Sequence, residues 1–417
     1  MRTSGHHAAN PYWVQLVPLA CFFIAFFYNP GDWFDIFQEE NYSFLNVRLL
    51  AYLIGIHATM TLGIWIGESV PVLKYRSADK YIRSKTEFDV ILIATLLGVT
   101  AVFFAYIYYL IAFHPRFILL TISGEANTAK QLLVSGEVKF TTLPHFAMGL
   151  VWWAWYMHLE YRRKYPQSIL LKFLLYVSIS LILIVSVINA ARYVVMPLLI
   201  GLFVIYIKQE KFKGKRVSRH LFMSLKYYAY LSAAVLLAFS FFSLTRGYVN
   251  YDEMYQMILG YGPVSYNRLA SVLSGNLRFE YSPTLTYLFP EPFFSLIRSF
   301  FGFEHLTSYD IWMSEFEGVE LAGLNRNFIW LSVPGYVYDS IGLYSFLYFL
   351  FYGLIVGFAW QSFMKMKLWG VIFYPLAYFS LFFFYGSNYL FQMFPYYLSA
   401  YILLSLYSFA VRQFKFS

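Results

Sequence analysis

The sequence predicts an all-α, polytopic membrane protein: about ten transmembrane helices with one long loop on the outward side. Three observations carry this. Only 13% of the 417 residues are charged while 59% are hydrophobic, against roughly 25% charged in a soluble domain, so water cannot be the main solvent of this surface. The apolar residues fall in runs of about 20, the length that crosses a bilayer core as a helix. The basic residues cluster between those runs, as they do in loops on a cytoplasmic face.

Taken in order, the spans are expected at 11–28, 47–67, 89–113, 143–161, 168–188, 191–207, 222–244, 335–362, 369–386 and 392–411. The run from Trp13 to Tyr28 has no small-residue cleavage site after it and reads as a retained anchor rather than a signal peptide. The basic loops "LKYRSADKYIRSK" (73–85), "YRRK" (161–164), "KQEKFKGKRVSR" (208–219) and the weaker "KMK" (365–367) each follow an even-numbered span. Both termini and these loops are therefore expected in the cytoplasm. The chain reads as a single integral membrane domain, 1–417, within which residues 245–334 form the long outward loop. Stretches such as "YDEMYQMIL" and "PFFSLIRSFFGF" predict short interfacial helices there, and Pro283, Pro290 and Pro292 divide them. A loop of this length is usually functional rather than a tether.

Several chemistries have no support. The chain has no G-x-x-x-x-G-K-[ST] loop, no H-E-x-x-H and no D-x-D pair, and its eight histidines are scattered. A single cysteine, Cys21, excludes an intrachain disulfide and a cysteine zinc site. The reading therefore includes no cofactor, no metal site and no nucleic-acid partner; the net charge of +9 lies in the loops. What stands out is arginine on the outward side. Arg192 sits at the turn between spans five and six, Arg246 closes span seven, Arg268 and Arg278 bracket "RLASVLSGNLR", and Arg326 precedes span eight. Any one of these is explained equally well by snorkelling to lipid headgroups. Together they are exceptions to the cytoplasmic preference of basic residues, and guanidinium suits bidentate recognition of phosphate. The acidic groups Asp32, Asp35, Glu39, Glu40 and Asp310, Glu315, Glu317, Glu320 read first as solvated rims. His305 and Glu320 are the candidates for a general base. Tyr248, Tyr251 and Tyr255 would share a helical face able to meet a sugar ring, with Tyr261, Tyr266 and Tyr281 nearby. Tyrosine collects at membrane interfaces in any case.

The order of these parts resembles the Wzy-type oligosaccharide repeat-unit polymerases, which build O-antigen and related bacterial surface polysaccharides. The resemblance rests on "NAARYVVMPLLIG", the span ending "SLTRGY", "LFPEPFFSLIRSFFG" in the long loop and "LNRNFIWLSVPGYVYDSIGLYSFLYFLFYGLIVG", and covers residues 180–360. Asp339 and Gly342 stand where that family often shows "DFG". The resemblance implies a GT-C-like helical glycosyltransferase in the bacterial inner membrane with a periplasmic active site. Its substrates would be undecaprenyl-pyrophosphate-linked glycans, with membrane lipid and a chain-length regulator protein as partners. Within that scheme Arg192, Arg246 and Arg326 are expected to hold pyrophosphate, Arg268 and Arg278 to position lipid or glycan, and His305 or Glu320 to act as base. Fixed cations stabilise the leaving pyrophosphate without a metal. An O-antigen ligase that transfers glycan to lipid A core shares these features. A polysaccharide transporter or flippase would instead place charge at mid-membrane, where this chain has little besides His57.

Overall fold

The computed structural model describes residues 9–70, 85–125, 128–129, 131–132, 138–140, 142–162, 168–189, 192–209, 229–230, 233, 251–279 and 308–413. Among them every regular element is helical. The helices are α1 (Pro11–Val14), α2 (Leu16–Phe27), α3 (Pro30–Phe37), α4 (Val47–Ser69), α5 (Lys85–Phe113), α6 (Pro115–Ile122), α7 (Leu143–Tyr161) and α8 (Ile169–Ile188). They continue with α9 (Arg192–Gln209), α10 (Tyr251–Tyr261), α11 (Pro263–Ser274), α12 (Ser308–Leu321), α13 (Val333–Ile341), α14 (Ser345–Met364), α15 (Leu368–Phe382) and α16 (Tyr389–Gln413).

Local sequence explains the breaks. Pro30 has no N–H with which to continue α2, and the Asn29 side chain accepts from Gly31 N at 3.1 Å, which starts α3 at a 106° bend. Asn41 then donates to Ala25 O (2.9 Å) and Tyr28 O (3.1 Å), folding residues 38–46 back onto the end of α2. Asn46 caps α4 through Leu49 N. Gly342 lies at φ +56° and ψ −131°, a backbone region that only glycine enters without strain, and it turns α13 through a 3-10 turn into α14.

The most extensive helix pairing is between α4 and α14. It is built on facing small-residue motifs, Gly63-x-x-x-Gly67 and Gly353-x-x-x-Gly357, each glycine seated against a backbone carbonyl of the other helix: Leu350, Leu354, Met60 and Ile64. The contacts advance in step along both helices, Tyr52 with Ser345 and Gly67 with Phe358, so the pair is parallel. The sequence map has spans two and eight running in one direction, and the packing agrees with that. The centre is α7, with 15 of its 19 residues buried, against α9, α15 and α16. Gly201 of α9 lies against the Trp152 ring, which stacks on Tyr397 at 5.1 Å.

Among the described residues four helices are long and apolar enough to cross a bilayer: Val47–Ser69, Asp89–Phe113, Ile169–Ile188 and Val333–Met364. The bent pair Pro11–Phe27 with Pro30–Phe37 makes a fifth if it is one span. This is fewer than the ten expected. Val194–Gln209 and Leu368–Phe382 are apolar but shorter, and span 222–244 lies almost wholly outside the described residues. The helix α7 has the length, but protein surrounds it, so aromatic and histidine side chains replace the aliphatic ones that lipid would demand. A second expectation needs correction in the long loop. The helix α11 is not an interfacial helix: Pro263 to Leu273 are all buried, packed on α2, α13 and α4.

Candidate functional site

Burying α11 requires that its polar residues be satisfied. Arg268, with no exposed surface, donates from Nη1 to Glu39 Oε1 at 2.6 Å and from Nη2 to Glu39 Oε2 at 2.7 Å, a bidentate pair in which Glu39 is also fully enclosed. Its remaining N–H groups go to the carbonyls of Val264, Phe328 and Asn325. Glu39 also accepts from Asn267 Nδ2 and from Asn325 N, both at 2.9 Å. Asn325 in turn donates its side-chain amide to Phe37 O at 2.8 Å. Three stretches distant in sequence (37–43, 264–268 and 325–328) are thereby locked together. All five guanidinium donors are spent, so Arg268 has none to offer a substrate. Its expected role in positioning lipid or glycan is corrected to a structural one.

Beside this clamp the chain turns outward. Arg326 is adjacent to the held Asn325, and its Nη1 is 3.5 Å from Glu320 Oε2, with both side chains about two-thirds exposed. A predicted anion ligand and a predicted base are therefore neighbours. Arg278 is exposed and lies within electrostatic reach of half-buried Asp339 on α13. One residue earlier on the same helix, the Tyr338 hydroxyl is 3.5 Å from Nη2 of exposed Arg48, at the first turn of α4. The ring of Tyr338 packs edge-on against Tyr52 at 5.1 Å, and the Tyr52 hydroxyl donates to Pro334 O and is hydrogen-bonded to the Ser345 hydroxyl. Buried bonds thus hold α13 in place and present Tyr338 and Asp339 between two arginines. Burial and then the neighbouring Glu40 and Glu39 carboxylates hold the Tyr42 phenol above its usual range, so it stays neutral close to the clamp.

Other expected residues fall elsewhere. Arg192 is the first residue of α9, whose far end brings Lys208 to Met364 at the end of α14. Arg192 therefore lies toward the Arg48 end, but its side chain is outside the described residues, as are Arg246 and His305. Asp32, Asp35, Glu40 and Glu317 are exposed, as a solvated rim requires, and Glu315 is buried. Tyr248 and Tyr281 and the Tyr251 side chain are not described, Tyr255 is exposed, and Tyr266 is wholly enclosed against Phe22. Among the described residues no cluster of three metal-ligating side chains occurs. Sequence reasoning missed two residues. The criterion that selected Arg326, an arginine at an outward helix end, applies equally to Arg48. Glu39 gave no such signal, because nothing in "FQEENY" distinguishes it from Glu40.

Fold and site together define a helical chain with several apolar helices, consistent with a membrane-embedded protein, with exposed Arg48 and Arg278 about α13. No protein-family model, curated protein or solved structure matches the chain.

Proposed function

We propose that this protein is an O-antigen (surface polysaccharide) polymerase of the bacterial inner membrane, with the Arg48 end facing the periplasm and the ten-span, GT-C-like arrangement of the sequence reading. A hydroxyl of the incoming repeat unit would attack the anomeric carbon of the growing chain as undecaprenyl pyrophosphate leaves. The supporting observation is that exposed Arg48 and Arg278 attend Tyr338 and Asp339 of α13, while exposed Arg326 stands beside the buried clamp that α13 packs against. That helix belongs to the segment "LNRNFIWLSVPGYVYDSIG", which carries the family resemblance. Guanidinium groups fixed on a buried scaffold can stabilise developing pyrophosphate charge without reorganising. Arg278 and Arg326 take the anion, Asp339 joins Glu320 and His305 as a candidate base, and Arg268 holds the scaffold. The test is electrophoresis of surface glycan from a deletion strain carrying the wild-type gene or Arg278→Ala. A single repeat unit per anchor is expected in the deletion strain and in the variant. Unaltered long polymer in the deletion strain would refute the reading, and complete loss of attached glycan would replace it with a ligase or flippase.

A further inference from the structure

One enclosed hydroxyl has no structural role. Tyr266 of α11 has no exposed surface, and its phenol has no hydrogen-bond partner among the described residues. A buried polar group in this state costs stability, so its presence calls for a ligand. The groups around it come from three other parts of the chain. The hydroxyl lies within electrostatic reach of the Cys21 thiol on α2 and of the Tyr385 phenol in the link between α15 and α16. Tyr385 in turn lies within reach of Tyr261 at the end of α10. Gly262 permits the close approach of α2, since a Cβ there would stand 2.9 Å from Cys21 Sγ.

Aromatic rings wall this spot and lead to the surface. Tyr261 meets Trp330 edge-on at 4.8 Å, Trp330 meets Phe383 at 5.4 Å, and Phe383 meets Tyr385 at 4.9 Å. Phe22 closes the other side of Tyr266 at 5.6 Å. Tyr261, Trp330 and Tyr385 are part-exposed and Tyr266 is not, so the set runs from an aromatic mouth to a hydroxyl floor. Val333 N donates to Phe384 O at 3.1 Å, which ties the link to the start of α13. Trp330 follows exposed Arg326 by four residues, so the mouth and a proposed pyrophosphate ligand share one short segment.

We propose that these residues form a sugar subsite, in which one ring of the lipid-linked glycan packs on Trp330 and Tyr261 while one of its hydroxyl groups bridges the phenols of Tyr266 and Tyr385. Tyr385, the part-exposed member of that pair, moves aside to admit the ring. Among the described residues only uncharged groups lie within electrostatic reach of the two phenols. The spot therefore suits a neutral sugar and not the pyrophosphate, whose charge would go unpaired there. Aromatic walls with a few fixed polar groups are the usual means of orienting a small ligand. The subsite rests on the polymerase reading.

The deletion strain receives the wild-type gene, Tyr266→Phe, Tyr385→Phe or Tyr352→Phe, and surface glycan is resolved by electrophoresis at matched levels of the chain. Each purified chain is also melted. Tyr266→Phe deletes a hydroxyl that no described protein group uses, so its melting temperature should equal or exceed that of the wild type. Long polymer should nonetheless fall about fivefold or more, the loss of one hydrogen bond to substrate. Tyr385→Phe should likewise shorten the polymer. Tyr352→Phe is the inverse control. Its enclosed hydroxyl is hydrogen-bonded to Ser380 Oγ at 2.7 Å, so its melting temperature should fall while the ladder stays as in the wild type. Wild-type ladders from both Tyr266→Phe and Tyr385→Phe would overturn the subsite and leave the polymerase reading standing. A lowered melting temperature in Tyr266→Phe would also overturn it, by showing that protein groups already use the hydroxyl. Long polymer in the deletion strain, or a wild-type gene that restores none, would overturn the reading on which the subsite rests.

Discussion

Arg268–Glu39 and Arg326–Glu320 are two arginine–glutamate pairs that meet the same short segment around residue 325, and their surroundings make them opposites. In the first, both side chains are fully enclosed and 2.6 Å apart, and backbone carbonyls and amides take up the remaining bonding capacity. In the second, both are about two-thirds exposed and 3.5 Å apart. Burial makes a charge pair costly to break, whereas exposure makes it cheap to exchange for another partner. The buried pair is therefore scaffold, and the exposed one is open to an incoming anion. Since Asn325 belongs to the clamp and Arg326 follows it directly, the scaffold also sets where the exposed arginine stands.

The comparison is broken most severely by removing one partner of the buried pair. Arg268→Ala should cost about 3–5 kcal/mol, because Glu39 is left as an unpaired enclosed charge. Thermal unfolding of the purified chain measures this, and a cost below that of a surface substitution would show that the clamp is not closed in solution. Glu39→Ala should cost a similar amount, and the double variant clearly less than the sum, since both lose one shared network. Next in size, Gly353→Leu forces a side chain into the Met60 carbonyl across the α4–α14 seam and should destabilise by about 1–3 kcal/mol or more. A melting temperature unchanged by this substitution would mean the glycine seam is looser than described. Tyr52→Phe removes the bond to Ser345 (3.0 Å) and should cost about 1 kcal/mol by the same measurement. Arg326→Ala should change stability by less than about 1 kcal/mol. On the proposed function it shortens surface glycan nonetheless, which separates the exposed arginines from the buried one.

Much of the fold was legible because apolar helices follow from composition and run length, and α4, α5, α8 and α14 appear where those runs predict. The break between α2 and α3 was not read as a bend, although "NPGD" carries both a cap and a proline. The enclosure of α7 escaped a rule based on hydropathy, because a helix surrounded by protein need not be aliphatic. At the site, arginines beside apolar runs were recognisable as a type, but exposed Arg278 and enclosed Arg268 look alike in "RLASVLSGNLR". Nothing local separates them, since the difference lies in Glu39, more than two hundred residues away.

The sequence by itself determined the helical and apolar character of this chain, consistent with a bilayer in which the backbone must satisfy its own hydrogen bonds, and the presence of arginines beside its apolar runs. Only the tertiary structure decided which arginine is scaffold and which is exposed. A guanidinium has five donors, and whether they are spent inside the protein depends on acceptors that folding brings in from distant parts of the chain.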